Sequence, residues 1–160
     1  MSTAEQLTQD FSVTTWIIKK QAEGLSNEEM TILPPFRANC FNWVLGHIAT
    51  NRDKVLTLLG KEALFTPEQV NLYERGSEPM TDGETAVPGD KLLTAIDQSN
   101  ERIATGLQNT PVETLTAIYN KERNQTVAER IAGLHWHETY HTGQLELLRQ
   151  LAGKNDTVIP

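Results

Sequence analysis

From Thr126 to Ala152 the chain carries apolar residues at a helical period, and ionisable side chains break into the same stripe. At about 100° per residue, Val127, Ile131, Leu134, His141, Leu145 and Leu148 share one face. His137 lies within about 40° of His141 on that wheel, and Glu138 within about 60°. A helix that turns this face inward must bury all three groups, and without partners each would be costly. Whatever the chain folds into has to supply those partners. The Thr126-Val127-Ala128-Glu129 capping box starts the helix, and Gly153 marks its end.

Apolar periodicity predicts three further helices. The first runs from Ala4 to Ala22, with Leu7, Phe11, Thr14, Ile17 and Ile18 at helical spacing and Gly24 beyond its end. The second runs from Cys40 to Leu59, with Asn39 as N-cap, Gly60 as the stop, and Trp43 and His47 on its inner face. The third covers Asp90 to Leu107. No segment alternates as a strand would. The expected architecture is all-α, a four-helix bundle formed by residues 1–160 as one domain, with a long connection between helices 2 and 3. That connection, residues 61–88, holds Pro67, Gly76, Pro79, Gly83 and Pro88. It reads as a crossover with a short helix near Thr66 to Tyr73, and a lid over a site is the alternative.

Composition excludes several functions. The net charge is −7, and the densest basic spot is Lys19-Lys20, so neither nucleic acid nor an anionic membrane is an expected partner. The single cysteine, Cys40, cannot form an internal disulfide and suits a reducing compartment. The segment Met1-Ser2-Thr3-Ala4-Glu5-Gln6 lacks the basic flank and apolar run of a signal peptide, and no apolar run approaches the length of a membrane span. These features point to a cytoplasmic protein.

A metal ion would satisfy the buried histidines. Imidazoles at i and i+4 lie about 6 Å apart along a helix and can converge on one ion at about 2.1 Å. His137 and His141 have that spacing. His135 points about 120° away from His141 and reads as a surface or interface residue. Of the four histidines only His47 is then left as a third ligand, and it too sits mid-helix. The competing reading makes all three hydrogen-bonded core residues. His137-Glu138-Thr139-Tyr140-His141 also spells the H-E-x-x-H signature of zinc proteases. The extended form needs Gly at position 144 and His at 147, where this chain has Gln144 and Leu147. That disfavours a protease.

Two motifs resemble the DinB/YfiT-like metal-binding four-helix bundles. Asn39-Cys40-Phe41-Asn42-Trp43-Val44-Leu45-Gly46-His47-Ile48-Ala49 is similar to the motif on the family's second helix. His137-Glu138-Thr139-Tyr140-His141-Thr142-Gly143-Gln144-Leu145 resembles the H-x-x-Y-H-x-G-Q pattern of its last helix. The resemblance implies metal ligands at His47, His137 and His141, with zinc or nickel as the expected ion, and a homodimer. It also implies a small-molecule substrate and a low-molecular-weight thiol as co-substrate. The ergothioneine-synthase branch resembles H-x-x-x-H-x-E, and Gly143 stands where that Glu would be, so iron-dependent sulfoxide chemistry is disfavoured.

Three neutral imidazoles leave a coordination position free, as catalytic zinc sites do. Glu138 is the candidate catalytic residue, either as a base or as a partner that orients a ligand imidazole. Trp43, Asn51, Tyr140 and Gln144 are candidate pocket residues, with core packing as the alternative for Trp43 and a solvated face for Asn51. Gly143 reads as a close-packing position, and Cys40 as a small core residue rather than a nucleophile. Two functional classes stay open. One is a metal-dependent enzyme, a thiol transferase acting on an electrophile or a hydrolase. The other is a non-catalytic, metal-stabilised bundle serving as a stress-related binding or dimerisation module.

Overall fold

Thr3 accepts the backbone N–H of Gln6 and opens α1 (Ala4–Ala22). A capping box of Ser26 and Glu29 then starts the one-turn α2 (Asn27–Met30). The computed structural model describes residues 3–78, 80 and 85–159. Met1 and Ser2, and Pro79 and Gly83 of the long connection, lie outside the described residues. Helix α3 (Phe41–Leu58) has Cys40, not Asn39, at its N-cap, and no side chain bonds its first turn. The apolar environment holds it in place, since fifteen of its 18 residues are buried. Cys40 is itself fully buried, and that burial pushes its thiol pKa up, as expected of a packed rather than a reactive cysteine.

A capping box of Thr66 and Gln69 with Pro67 at the first position forms α4 (Pro67–Leu72), within the stretch where a short helix was expected. Helix α5 (Gly89–Asn109) follows, then the short α6 (Val112–Thr116). The absence of strands expected from the sequence needs correction. Strand β1 (Ile118–Asn120) pairs antiparallel with β2 (Gln125–Thr126) around a turn in which Asn124 takes a φ of 47°. Strands this short give no alternation to read. Helix α7 (Val127–Leu151) starts at the Thr126–Glu129 capping box.

The described residues are mostly helical. The long helices pack α1 against α5 and α7, and α3 against the same two. Their inner faces form two apolar clusters. One contains Ile18, Leu45, Ile48, Ile96 and Leu145, and the other Phe11, Val55, Ile103, Ile131 and Leu134. Between them in sequence, on all four helices, fall Thr14, Thr15, Arg52, Ser99 and Glu138, which form a buried polar layer. At the far end Arg149 donates to the backbone carbonyls of Gln21, in the last turn of α1, and of Glu23 just past it, and pairs with Asp156. Among the described residues, no helix is long and apolar enough to cross a membrane.

Candidate metal centre

His47 projects from the middle of α3 towards His137 and His141 on consecutive turns of α7. The three offer ring nitrogens that all lie within 4.8 Å of one another, the only such group of potential metal donors among the described residues. The His137 and His141 Nε2 atoms are 3.2 Å apart. Two donors at about 2.1 Å from a tetrahedral ion stand about 3.4 Å apart, so this pair has the separation of co-ligands.

The hydrogen bonds assign the tautomers. His47 Nδ1 lies 2.6 Å from the Tyr73 carbonyl oxygen, which can only accept, so Nδ1 carries the proton and Nε2 the lone pair. Asn51 Nδ2 then donates to that Nε2 across 3.1 Å. His141 Nδ1 lies 2.6 Å from Gln144 Oε1 and donates to it, which again leaves Nε2 bare. Facing it, His137 Nε2 must share either one proton or one cation with it. Gln144 and the Tyr73 carbonyl thus orient His141 and His47 in the way that outer partners orient metal-bound histidines.

Electrostatics keep the rings neutral, the form that binds metal. Burial is the first cause at each. It brings His47 down from 6.5 to about 4, against the opposing pull of the Tyr73 carbonyl, with His141, His137 and Lys54 lowering it further. His137 is lowered by burial, then by Lys54 and Arg130. His141 is lowered by burial and by His137, while its bond to Gln144 acts the other way. A base whose folded pKa lies below its unfolded one costs stability as pH falls. For His47 the contribution is complete above about 6.5 and lost on the way down to about 4. In chelator-treated protein, the urea midpoint should therefore drop more between pH 7 and 4.5 for wild type than for His47→Gln. Parallel curves would refute this account.

Glu138 departs from the expectation. Its carboxylate turns away from the histidines into the polar layer, where Arg52 Nε donates to Oε2 at 2.8 Å and Arg52 Nη2 to Oε1 at 2.6 Å. Thr14 also donates to Oε1. The 60° between Glu138 and His141 on the wheel is enough to place them in different surroundings, the ion pair for one and the α3–α7 seam for the other. In place of a base or an imidazole partner, the carboxylate is half of a buried salt bridge. The H-E-x-x-H reading fails with it, since that chemistry needs the Glu beside the ion.

The expected pocket residues all lie around the histidines. Trp43 stacks on His47, with ring centroids 4.9 Å apart and planes within 10°, and donates its Nε1–H to Ser77. Tyr140 meets His141 edge to face at 5.1 Å. Trp43, Tyr140 and Gln144 line a cleft of about 530 Å³ whose wall includes His47, His137 and His141. Asn51 lines a second cleft of about 320 Å³, which shares His47 and His137 with the first. Two expectations need correction. A side chain added at Gly143 would meet nothing within 4 Å, so it is not a close-packing position. His135 is half-buried rather than on the surface, its ring edge-on to Phe11 at 4.8 Å.

The residues missed from sequence are Tyr73, Phe36, Arg37 and Arg75. Tyr73 is fully buried and supplies the carbonyl that holds His47, although it lies in the irregular connection. Phe36, Arg37 and Arg75 line the larger cleft. All four fall outside the long helices, where no periodicity says which way a side chain points.

A model of the DinB superfamily matches residues 18–145. Among solved structures, the crystal structure of a conserved protein from Enterococcus faecalis aligns with a TM-score of 0.73 at 15% sequence identity, covering 95% of this chain and 98% of that one. At that identity the likeness speaks for the fold alone. No curated protein matches the sequence.

Proposed function

The chain belongs to the DinB superfamily and has a DinB-like fold, and from that premise we propose that it is a divalent-metal enzyme acting on a small molecule. We read the four long helices as a four-helix bundle with the segment 61–88 as its long connection. His47, His137 and His141 hold one ion, zinc or nickel. The observation that carries this is the set of three neutral imidazoles, two with assigned Nε2 lone pairs, on the wall of a cleft large enough for a substrate.

A divalent ion bound there supplies Lewis acidity to a water or a thiol in the position the protein leaves free. The chain's own residues do the rest. Tyr73 and Gln144 keep the ligand nitrogens aimed inward, and Trp43 covers one face of His47 and limits water there. Asn51 donates to His47 Nε2, so its amide must turn aside for that nitrogen to hold an ion. Transfer of a low-molecular-weight thiol to an electrophile, or metal-assisted hydrolysis, is the chemistry such a site suits.

Metal content tests the reading. Elemental mass spectrometry on untagged protein should find about one equivalent in wild type and almost none in His141→Ala. A folded wild type that is metal-free and takes up no added ion would make the histidines ordinary core residues and remove the basis of the proposal. A second reading, a non-catalytic module that pairs with its own copy, draws on one observation. Trp136, Tyr140, Leu147 and Leu151 lie along one exposed stripe of α7, with Trp136 70% exposed. A homodimer across this stripe would cover Tyr140 and Leu147 of the cleft, so it goes with this second reading.

A further inference from the structure

The larger cleft has a charge unlike that of the chain around it. The sequence holds 21 acidic residues against 14 lysines and arginines. Yet among the described residues the lining of this cleft contains Arg37 and Arg75 and no Asp or Glu. Among the described residues, neither arginine makes a hydrogen bond or ion pair within the protein. Both guanidinium groups are exposed and keep their donors for something else. Arg75 also borders the second cleft, beside Lys54 and Glu74, so it stands where the two clefts meet at the histidines.

Part of the remaining lining is apolar and open to solvent. Phe36 is 55% exposed, Tyr140 59% and Leu147 55%, although all three face the same cleft. Side chains of this kind gathered around a concavity mark a surface that something covers. Trp43, Val44 and Leu148 continue the apolar wall inward to the histidines.

We propose that this cleft binds an amphipathic organic anion, its carboxylate or sulfonate paired with Arg37 and Arg75 and its apolar body lying against Phe36, Tyr140 and Leu147. The inference deepens the preceding reading and rests on its cleft, but not on the identity of the metal. Guanidinium is the side chain best matched to a planar two-oxygen anion, because its donors are fixed in a fork. In a chain of net charge −7, two unpaired arginines at a cleft whose described lining holds no carboxylate also draw anions to that place in preference to the rest of the surface. The arginines would then decide which molecules enter, and the histidines what happens to them.

Isothermal titration calorimetry with sodium octanoate and octanamide tests this, since the two probes share a chain and differ in charge. The protein is used both as purified and after chelator treatment, with its metal content measured each time. Wild type is expected to bind octanoate at least tenfold more tightly than octanamide in both preparations. The double variant Arg37→Gln/Arg75→Gln should lose that preference and keep its affinity for octanamide, and Leu147→Asn should weaken both probes. Because these three positions are exposed, the variants should melt like wild type, which circular dichroism checks. A wild type that binds neither probe, or binds both equally, overturns the proposal, as does a preference that survives in the double arginine variant. The two readings fail separately. Wild type that is metal-free as purified and takes up no added ion, yet prefers octanoate, overturns the metal centre and supports the anion site, whereas metal-loaded wild type indifferent to charge does the reverse.

Discussion

Glu138→Ala should destabilise the protein by about 3–5 kcal/mol and leave its metal content unchanged. The substitution strands a guanidinium that is 1% exposed. Arg52 uses every donor it has. Nε and one Nη2 hydrogen go to Glu138, the other Nη2 hydrogen to Thr15, and Nη1 to the Ile96 carbonyl and Ser99. Removing the carboxylate leaves a buried positive charge with only neutral acceptors. Removing both partners together is a different matter, because a hydrophobic pair of similar volume avoids the desolvation that the ion pair requires. Arg52→Met/Glu138→Leu should therefore recover most of the loss. Urea denaturation of the three proteins gives the comparison, and elemental analysis of the same samples gives the metal. Glu138→Ala that unfolds like wild type but has lost its metal would return Glu138 to the site and refute the ion-pair account.

The second large effect is expected at a glycine. A Cβ at Gly46 would be driven into the ring of Tyr73, which is fully buried and held by its hydroxyl, donating to Asn42 and accepting from the Val87 N–H. Nothing there gives way easily. Gly46→Ala should cost about 1–3 kcal/mol by overpacking, in spite of the better helix propensity of alanine. It should also reach the metal. Tyr73 carries the carbonyl that orients His47, and losing such an outer partner typically weakens metal affinity by about 10–100-fold. Gly143→Ala is the control, since its Cβ would enter open space on the same helix as His137 and His141. That change should be neutral or stabilising by up to about 1 kcal/mol, with metal affinity intact. Competition with a chromogenic chelator measures both. Equal affinities for wild type and Gly46→Ala would mean that Tyr73 does not position His47.

These two residues show where the sequence could and could not be read. Helix α1 was legible to its boundaries, because Leu7, Phe11 and Ile18 keep a helical period and Gly24 breaks it. Helix α7 was legible from its capping box, and the histidines from the way they interrupt its stripe. Glu138 was noticed for the same reason and given the wrong partner. Its true partner, Arg52, lies on another helix and looks like any solvent-facing arginine until α3 is known to be buried almost all round. Arg37, Tyr73 and Arg75 were illegible for a different reason. Loops have no period, so nothing local tells that Tyr73 is fully buried while Arg75 lines a cleft. The hairpin of β1 and β2 escaped because its strands are too short for alternation to show.

Arg149 has a consequence for time rather than for structure. Its bond to the Gln21 carbonyl joins residues 128 positions apart, so the end of α1 takes its cap from the last helix of the chain. Closing so long a loop is entropically unfavourable, and a contact of that span adds stability only once the intervening helices are in place. An interaction formed that late contributes little to how fast the chain folds and much to how slowly it comes apart. The clasp between α1 and α7 is therefore expected to slow unfolding more than it speeds folding, and with that to lengthen the time the histidines stay assembled.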